Sequence, residues 1–175
     1  TTDPGDNNLL VDGNITIGGD TISGGHRGYF FFGENGSFIS NGSASQKTQY
    51  LDMAQAHQGS AIYGVVMPRA GSITAVSLNY DVYYALLSQY ASIPSSASLR
   101  VYKNGSSVWS ATTLSVSTTG SGRNVNATAS NGTYTFSAGD RINLVVVITD
   151  VSTGGAYSRV GLDDLTGYIE VTMDN

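Results

Sequence analysis

The stretch Thr133–Asp150, TYTFSAGDRINLVVVITD, decides the fold class of this chain. Residues 137–140 interrupt an alternating segment, as a turn does, and the most apolar run of the protein follows. Its side chains alternate between the two faces of a strand. One face carries Ile142, Leu144, Val146 and Ile148, and the other carries Val145 and Val147. A strand that is apolar on both sides is expected to be covered on both sides.

Two explanations remain open for the second face of this strand. Val145 and Val147 pack either inside the same chain, against a second layer, or against a second copy of the chain. The chain has no cysteine, so its stability must come from a large core or from oligomerisation rather than from disulfides. Under the second explanation, Val145 and Val147 form an oligomer interface.

Length and composition indicate one domain with a real core. The chain has 175 residues, of which 40% are hydrophobic and only 12% are charged. The net charge is −5, and no basic run is present to neutralise phosphates, which argues against nucleic acid as a partner. An acidic surface also disfavours anionic membranes, and no apolar run approaches the ~20 residues of a membrane span.

Alternating segments separated by turn signals predict about eight to ten strands. Asn104-Gly105 lies between SLRVYK and SSVWS and predicts a type I′ hairpin, and Asn131-Gly132 predicts a second hairpin. Adjacent hairpins combined with long connections favour a sandwich or jelly roll over a parallel sheet. The predicted fold class is therefore all-β, an antiparallel jelly-roll sandwich over residues 26–175. Residues 1–25 are predicted to form a short extended shaft-like or linker segment.

Two segments fit this pattern less simply. Residues 43–59 have a helix-friendly composition, in which Tyr50, Met53 and His57 would share one face, although a loop of a β-protein is equally compatible. The run YFFF at residues 29–32 is expected to be covered, because consecutive exposed aromatics promote aggregation. We interpret it as a core strand in preference to a ligand platform.

The sequence offers little chemistry for catalysis. It has no Gly-x-Ser-x-Gly elbow, and its only histidines are His26 and His57. Glu34 and Glu170 are its only glutamates, and no pair of carboxylates has the pattern of a glycosidase cleft. The adjacent pair Asp163-Asp164 is interpreted as a soluble loop rather than as a calcium site. We expect no enzymatic activity, no catalytic residues, no metal site and no cofactor.

Tyrosine is the enriched residue type with binding potential. Tyr83, Tyr84 and Tyr90 fall in what the sequence predicts to be one long loop, and Tyr157 falls in another. A tyrosine offers a flat apolar ring and a hydroxyl group, which suit stacking on a sugar. Aromatic residues exposed in loops tend to serve binding, whereas the alternative role is at the rim of the core. These four tyrosines are the predicted ligand-binding residues.

Several phrases of the sequence resemble a known class of proteins. GVVMPRAGSITAVSLNYDV, RVYKNGSSVWS and TFSAGDRINLVVVIT resemble the C-terminal head modules of trimeric phage or viral fibres, and the wider jelly rolls of the tumour-necrosis-factor and complement type. LLVDGNITIGGDTIS looks like the phrases of fibre shafts. The resemblance covers about residues 60–175 by pattern, and residues 26–59 match nothing comparable.

The resemblance implies a homotrimer around a threefold axis. It also implies a head domain at the virion surface that binds a host cell-surface receptor, either a glycan or a protein, with the glycan preferred. Two other classes remain open from the sequence: a monomeric carbohydrate-binding module of a secreted enzyme, and a purely structural trimerisation or capping domain. Oligomeric mass distinguishes the monomeric carbohydrate-binding module from the fibre head. Glycan binding distinguishes the structural domain from the fibre head.

Overall fold

The computed structural model describes residues 15–17, 20–22, 26–33, 38–41, 46–51, 64–86, 96–116, 120–149 and 158–174. Every regular element within these residues is a β-strand. In chain order the strands are β1 (Ile15–Ile17), β2 (Asp20–Ile22), β3 (His26–Gly33), β4 (Phe38–Asn41), β5 (Gln46–Tyr50), β6 (Val65–Val66), β7 (Gly71–Leu86), β8 (Ser96–Lys103), β9 (Ser106–Leu114), β10 (Gly120–Thr128), β11 (Tyr134–Phe136), β12 (Arg141–Thr149) and β13 (Ser158–Met173).

Two antiparallel sheets form a sandwich. Sheet I is 6-stranded, with the order β10-β7-β13-β3, and it also holds β11 against β7 and β4 against β13. Sheet II is 5-stranded, with the order β5-β12-β8-β9, and β6 pairs with β12. Successive long strands cross repeatedly from one sheet to the other, which is the connectivity of a jelly roll. The predicted all-β sandwich is confirmed.

A separate two-stranded hairpin precedes the sandwich. Strands β1 and β2 pair with each other from Ile15 opposite Ile22 to Ile17 opposite Asp20. Within the described residues this hairpin belongs to neither sheet. The division of the chain after residue 25 stays a prediction.

The core lies between the two sheets and follows the alternation of the sequence. Sheet I contributes inward-facing residues of β7 and β13, and sheet II contributes those of β12 and β8. The fully buried aliphatic side chains include Ile73, Leu78, Leu99, Ile142, Leu144, Ile148, Leu162, Leu165 and Ile169. Tyr80 is also buried, and its hydroxyl accepts a 3.0 Å hydrogen bond from the amide of Ser115. The buried hydroxyl of Tyr80 is therefore satisfied.

The Asn-Gly dipeptides at residues 104–105 and 131–132 form different turns. Asn104 and Gly105 have φ angles of 52° and 84°, as a type I′ hairpin between β8 and β9 requires, so this prediction is confirmed. At the second site only Gly132 has a positive φ, of 86°. Strands β10 and β11 both pair with β7 and not with each other, so the predicted second hairpin is wrong. The pairing with β7 instead stops after β10, and it resumes in β11 after this dipeptide.

The helix-friendly composition of residues 43–59 did not yield a helix over its described part. Residues Gln46–Tyr50 form β5, which pairs along β12 from Val145 opposite Tyr50 to Thr149 opposite Gln46. The ladder offered by a long apolar strand outweighs a helix propensity of a few tenths of a kcal/mol per residue. Met53 and His57 lie outside the described residues.

Candidate functional site

Two of the predicted ligand-binding tyrosines lie in a strand and not in a loop. Tyr83 and Tyr84 belong to the last part of β7, where they pair with Gly161 and Val160 of β13. The boundary predicted from the sequence is therefore wrong. Alternation is lost at this point, yet β13 continues the ladder, and tyrosine itself favours strands. Tyr90 and Tyr157 lie outside the described residues.

The sheet brings the starts of both tyrosine-bearing segments to one place. Leu86, the last residue of β7, is the Cα partner of Ser158, the first residue of β13. Tyr90 follows this end of β7 in the sequence, and Tyr157 directly precedes this start of β13. Segments that are far apart in the sequence start from neighbouring strands at the same end of sheet I.

The second face of β12 is covered within a single chain. Val145 is 0% exposed and Val147 is 1% exposed, although neither belongs to the main core cluster. Their neighbours across the ladders are Arg100 and Tyr50 for Val145, and Ser98 and Thr48 for Val147. No second copy is needed to cover these valines. Their role as an oligomer interface stays a prediction.

A buried amide lies on the same face of β12. Asn143 is 0% exposed, and both of its side-chain atoms, Oδ1 and Nδ2, lack a hydrogen-bond partner. Its Oδ1 lies against Gly64, where an added Cβ would overlap it and the carbonyl oxygen of Ile142. An unsatisfied buried amide costs about 1–3 kcal/mol. This face is therefore tightly packed but not optimised for stability.

Three aromatic side chains form an exposed cluster on the outer face of sheet I. Tyr29 and Phe31 of β3 are 52% and 67% exposed, and Tyr168 of β13 is 37% exposed. The ring centroid of Tyr168 lies 6.4 Å from that of Tyr29 and 6.3 Å from that of Phe31. The expectation that the run at residues 29–32 would be covered is wrong for half of it. Because strand side chains alternate, Phe30 and Phe32 face the core while Tyr29 and Phe31 face outward.

The surroundings of this aromatic cluster are mostly neutral and polar. Ser77 is the register partner of Tyr168 on β7, and Asn126 of β10 continues the same row. Glu170 stands opposite Tyr29, and its Oε1 accepts a 2.8 Å hydrogen bond from the hydroxyl of Thr74. The cluster is thus an apolar patch in a face that otherwise presents small polar groups.

A hydrogen-bonded network joins two turns at one edge of the sandwich. Asp140 accepts hydrogen bonds from the amide of Ser137 at 2.8 Å and from Nδ2 of Asn104 at 2.7 Å. Lys103 Nζ lies 3.9 Å from the same carboxylate. These donors, led by the Ser137 amide, lower the pKa of Asp140 below its ordinary value of 3.8. The network fixes loop geometry, and nothing in its composition points to catalysis.

Two features were sought in the described part of the chain: a cluster of metal-binding side chains and a membrane-spanning helix. Over those residues, no group of three or more His, Cys, Asp or Glu side chains is placed to hold a metal ion. Asp163 pairs with Asp81 across the ladder, and Asp164, with a φ of 53°, lies in a bulge of β13. No helix in the same residues is long and apolar enough to cross a membrane.

Comparisons with known proteins give remote structural neighbours. No protein-family model matches the chain, and no curated protein matches it. A chain in a structure of infectious bursal disease virus, strain Gx, is 14% identical with a TM-score of 0.39, and the match covers 92% of this chain and 36% of that one. A chain from strain Gt of the same virus is 12% identical with a TM-score of 0.32, covering 93% and 41% respectively. Overlaps with such low scores identify neither a family nor a function.

The run of four aromatics at residues 29–32 is a sequence signal for this cluster. Four consecutive aromatics on one strand must divide between both faces, since side chains alternate. Only one face of sheet I meets the core. Two of the four rings therefore had to point outward. Tyr168 could not be added to the cluster from the sequence, because its contact with Phe31 depends on the register of β3 against β13.

Proposed function

We propose that this chain is the non-enzymatic head domain of a trimeric viral or phage fibre or spike. It binds a host cell-surface receptor at the virion surface, and a glycan is the preferred class of receptor. Support comes from the jelly-roll connectivity of the residues whose phrases resemble such heads. A rigid sandwich that holds variable segments at its ends is a common framework for recognition.

The pairing of Leu86 with Ser158 carries the proposal for the receptor site. It anchors the segments bearing Tyr90 and Tyr157 on neighbouring strands, beside Tyr83 and Tyr84 at the end of β7. The proposed site adds Tyr90 and Tyr157 to this end of the sheet, because tyrosine rings and hydroxyl groups suit stacking on a sugar. The low charge of the chain, at 12% of residues, suits a neutral ligand more than an anionic one.

A single site of this kind binds weakly, near ~1 mM. Three copies on one head raise the effective affinity by avidity when the receptor is presented at several points within reach. The homotrimer is therefore part of the proposed function and not an accessory to it. Attachment to a cell should depend on trimer formation, whereas binding of a short soluble glycan should not.

The test is attachment of the purified chain to host cells, together with binding to a glycan array. Tyr90→Ala and Tyr157→Ala should keep the fold and the oligomeric mass but reduce attachment by more than about tenfold, equivalent to about 1.4 kcal/mol. Val66→Ala, which changes an exposed residue of sheet II, is the matched control and should attach normally. Normal attachment by both tyrosine variants would move the receptor site elsewhere.

Two other outcomes would replace the proposal. If the unmodified trimer binds no cell and no glycan, the chain is a structural trimerisation or capping domain. If the unmodified chain is a monomer that binds polysaccharide, it is a carbohydrate-binding module. Each outcome is read from the same two measurements, mass and binding.

A further inference from the structure

We propose that the aromatic cluster of Tyr29, Phe31 and Tyr168 is the surface through which copies of this chain pack against one another. The inference rests on the proposed homotrimer and assigns its interface to the outer face of sheet I. The first reason is exposure. The cluster contains three of the four large hydrophobic residues that are exposed in the described part of the chain.

The aromatic cluster is large enough to serve as an interaction surface. An aromatic side chain offers about 150–250 Å², so the exposed fractions of these rings leave about 300 Å² of aromatic surface in one place. This area is comparable to the largest apolar patch of a typical soluble monomer, and such a patch is often functional. The chain has few charges to offset it, since only 12% of its residues are charged.

The ring geometry argues against a glycan as the occupant. The plane of Tyr168 is inclined by 68° to that of Tyr29 and by 55° to that of Phe31. These angles hold the ring of Tyr168 out of the plane of each neighbour, so the three rings do not form one flat stacking platform. Tilted rings instead form ridges and gaps, and such a surface fits side chains of a protein partner.

Stoichiometry and charge favour a second copy over a foreign protein. Every copy of the chain exposes one such cluster, so a partner that covers all clusters must be as abundant as the chain itself. Other copies of the same chain meet that condition. The row from Phe31 through Tyr168 and Ser77 to Asn126 carries no charge. Arg27 and Glu170, which flank the cluster on the same face, have opposite charges, so copies of this face can approach without net repulsion. Glu170, beside this row, is hydrogen-bonded to the hydroxyl of Thr74.

The assignment is consistent with the burial of the second face of β12 within a single chain. Val145 and Val147 are already covered in a single chain, so they leave no apolar surface for a partner. Three of the four exposed large hydrophobic residues in the described part of the chain lie on the opposite sheet. An interface on sheet I leaves the end of the sandwich near Leu86 and Ser158 free for a receptor.

The first test compares oligomeric masses by light scattering. The double variant Phe31→Thr/Tyr168→Thr keeps strand-favouring residues and should shift the mass from three times 18.3 kDa to 18.3 kDa. Val66→Thr, a change at an exposed residue of sheet II, should leave the trimer intact. The fluorescence of Trp109, which stacks on Tyr134 away from the cluster, reports whether the double variant is folded.

A second measurement does not depend on disrupting the assembly. The chain has no cysteine, so Phe31→Cys and Val66→Cys each introduce a single thiol. In the trimer the thiol of Phe31→Cys should react with a maleimide much more slowly than that of Val66→Cys. Equal rates, together with a double variant that remains a folded trimer, would overturn the interface while leaving the proposed function standing. A monomeric unmodified chain would overturn both the interface and the trimer.

Discussion

The side-chain amide of Asn104 donates a 2.7 Å hydrogen bond to Oδ1 of Asp140, which joins the β8–β9 turn to the turn before β12. The same asparagine accepts a 2.8 Å hydrogen bond from the amide of Arg141 through its Oδ1. Its backbone amide also donates to the carbonyl of Arg141 at 2.9 Å. One residue with a positive φ thus connects two turns that the chain places 36 residues apart.

Asn104→Gly should lower the free energy of unfolding by about 1 kcal/mol. Glycine adopts the same positive φ without strain, so the turn survives and only the side-chain hydrogen bonds to Asp140 and Arg141 are lost. Chemical denaturation measures the difference. Asn131→Gly, at the Asn-Gly dipeptide before β11, is the control and should change stability much less. Equal losses at both sites would mean that the connection between the turns contributes nothing.

Acid unfolding should depend on Asp140. Because the folded state lowers the pKa of this carboxyl, its contribution to stability is fully present above the ordinary pKa of 3.8 and is lost as the pH falls through the lower folded pKa. Asp140→Asn should therefore reduce stability at neutral pH and flatten the dependence on pH below about 4. Asp174→Asn, at an exposed carboxyl group, is the control. Parallel pH curves for the wild type and Asp140→Asn would contradict the network.

Val147→Asp should unfold the chain rather than merely separate its copies. The side chain is 1% exposed within one chain, so an aspartate there would bury an unpaired charge and cost about 3–5 kcal/mol. Val66→Asp, at a position that is 54% exposed, should be tolerated. Thermal unfolding and light scattering together decide the matter. A well-folded Val147→Asp monomer would return the oligomer interface to β12.

Asn143→Leu should leave the melting temperature unchanged or raise it. Neither polar atom of this buried amide has a hydrogen-bond partner, so a leucine of similar shape removes a desolvation cost without breaking a bond. Asn143→Ala is the comparison, because it removes the same amide but leaves a cavity and should destabilise the chain. If leucine destabilises as much as alanine, the amide has a partner that stabilises the fold.

The sandwich was predictable because its signals are local. Alternation in β7 and the doubly apolar run of β12 mark strands without reference to anything else in the chain, and the Asn104-Gly105 turn follows from backbone geometry. The limits of these strands were less predictable. β7 continues through Tyr83 and Tyr84 because β13 pairs with it there, and that pairing is not visible in the sequence of either strand.

The Asn-Gly dipeptides show where local signals fail. Those at residues 104–105 and 131–132 contain the same two residues, yet the first closes a hairpin and the second interrupts the pairing with β7. At Gly132 the backbone amide donates a 3.0 Å hydrogen bond to the hydroxyl of Ser72 on β7. The turn type at Gly132 depends on this contact with a residue distant in the sequence. The dipeptide alone therefore could not predict it.

The candidate surfaces were the least predictable part. Hydrophobicity indicated correctly that Val145 and Val147 are buried, but it could not say that the same chain buries them. Equally, it could not distinguish the outward rings of Tyr29 and Phe31 from the inward rings beside them until the sheet faces were assigned. Assembly surfaces depend on which face remains uncovered, and that depends on the complete fold.

The mass of the unmodified chain in solution tests the central claim, a trimeric head joined through sheet I, most directly. Light scattering at micromolar concentration should give three times 18.3 kDa, and the value should persist on moderate dilution. A stable mass of 18.3 kDa across the same range would contradict it, since the aromatic cluster would then remain exposed on a soluble monomer.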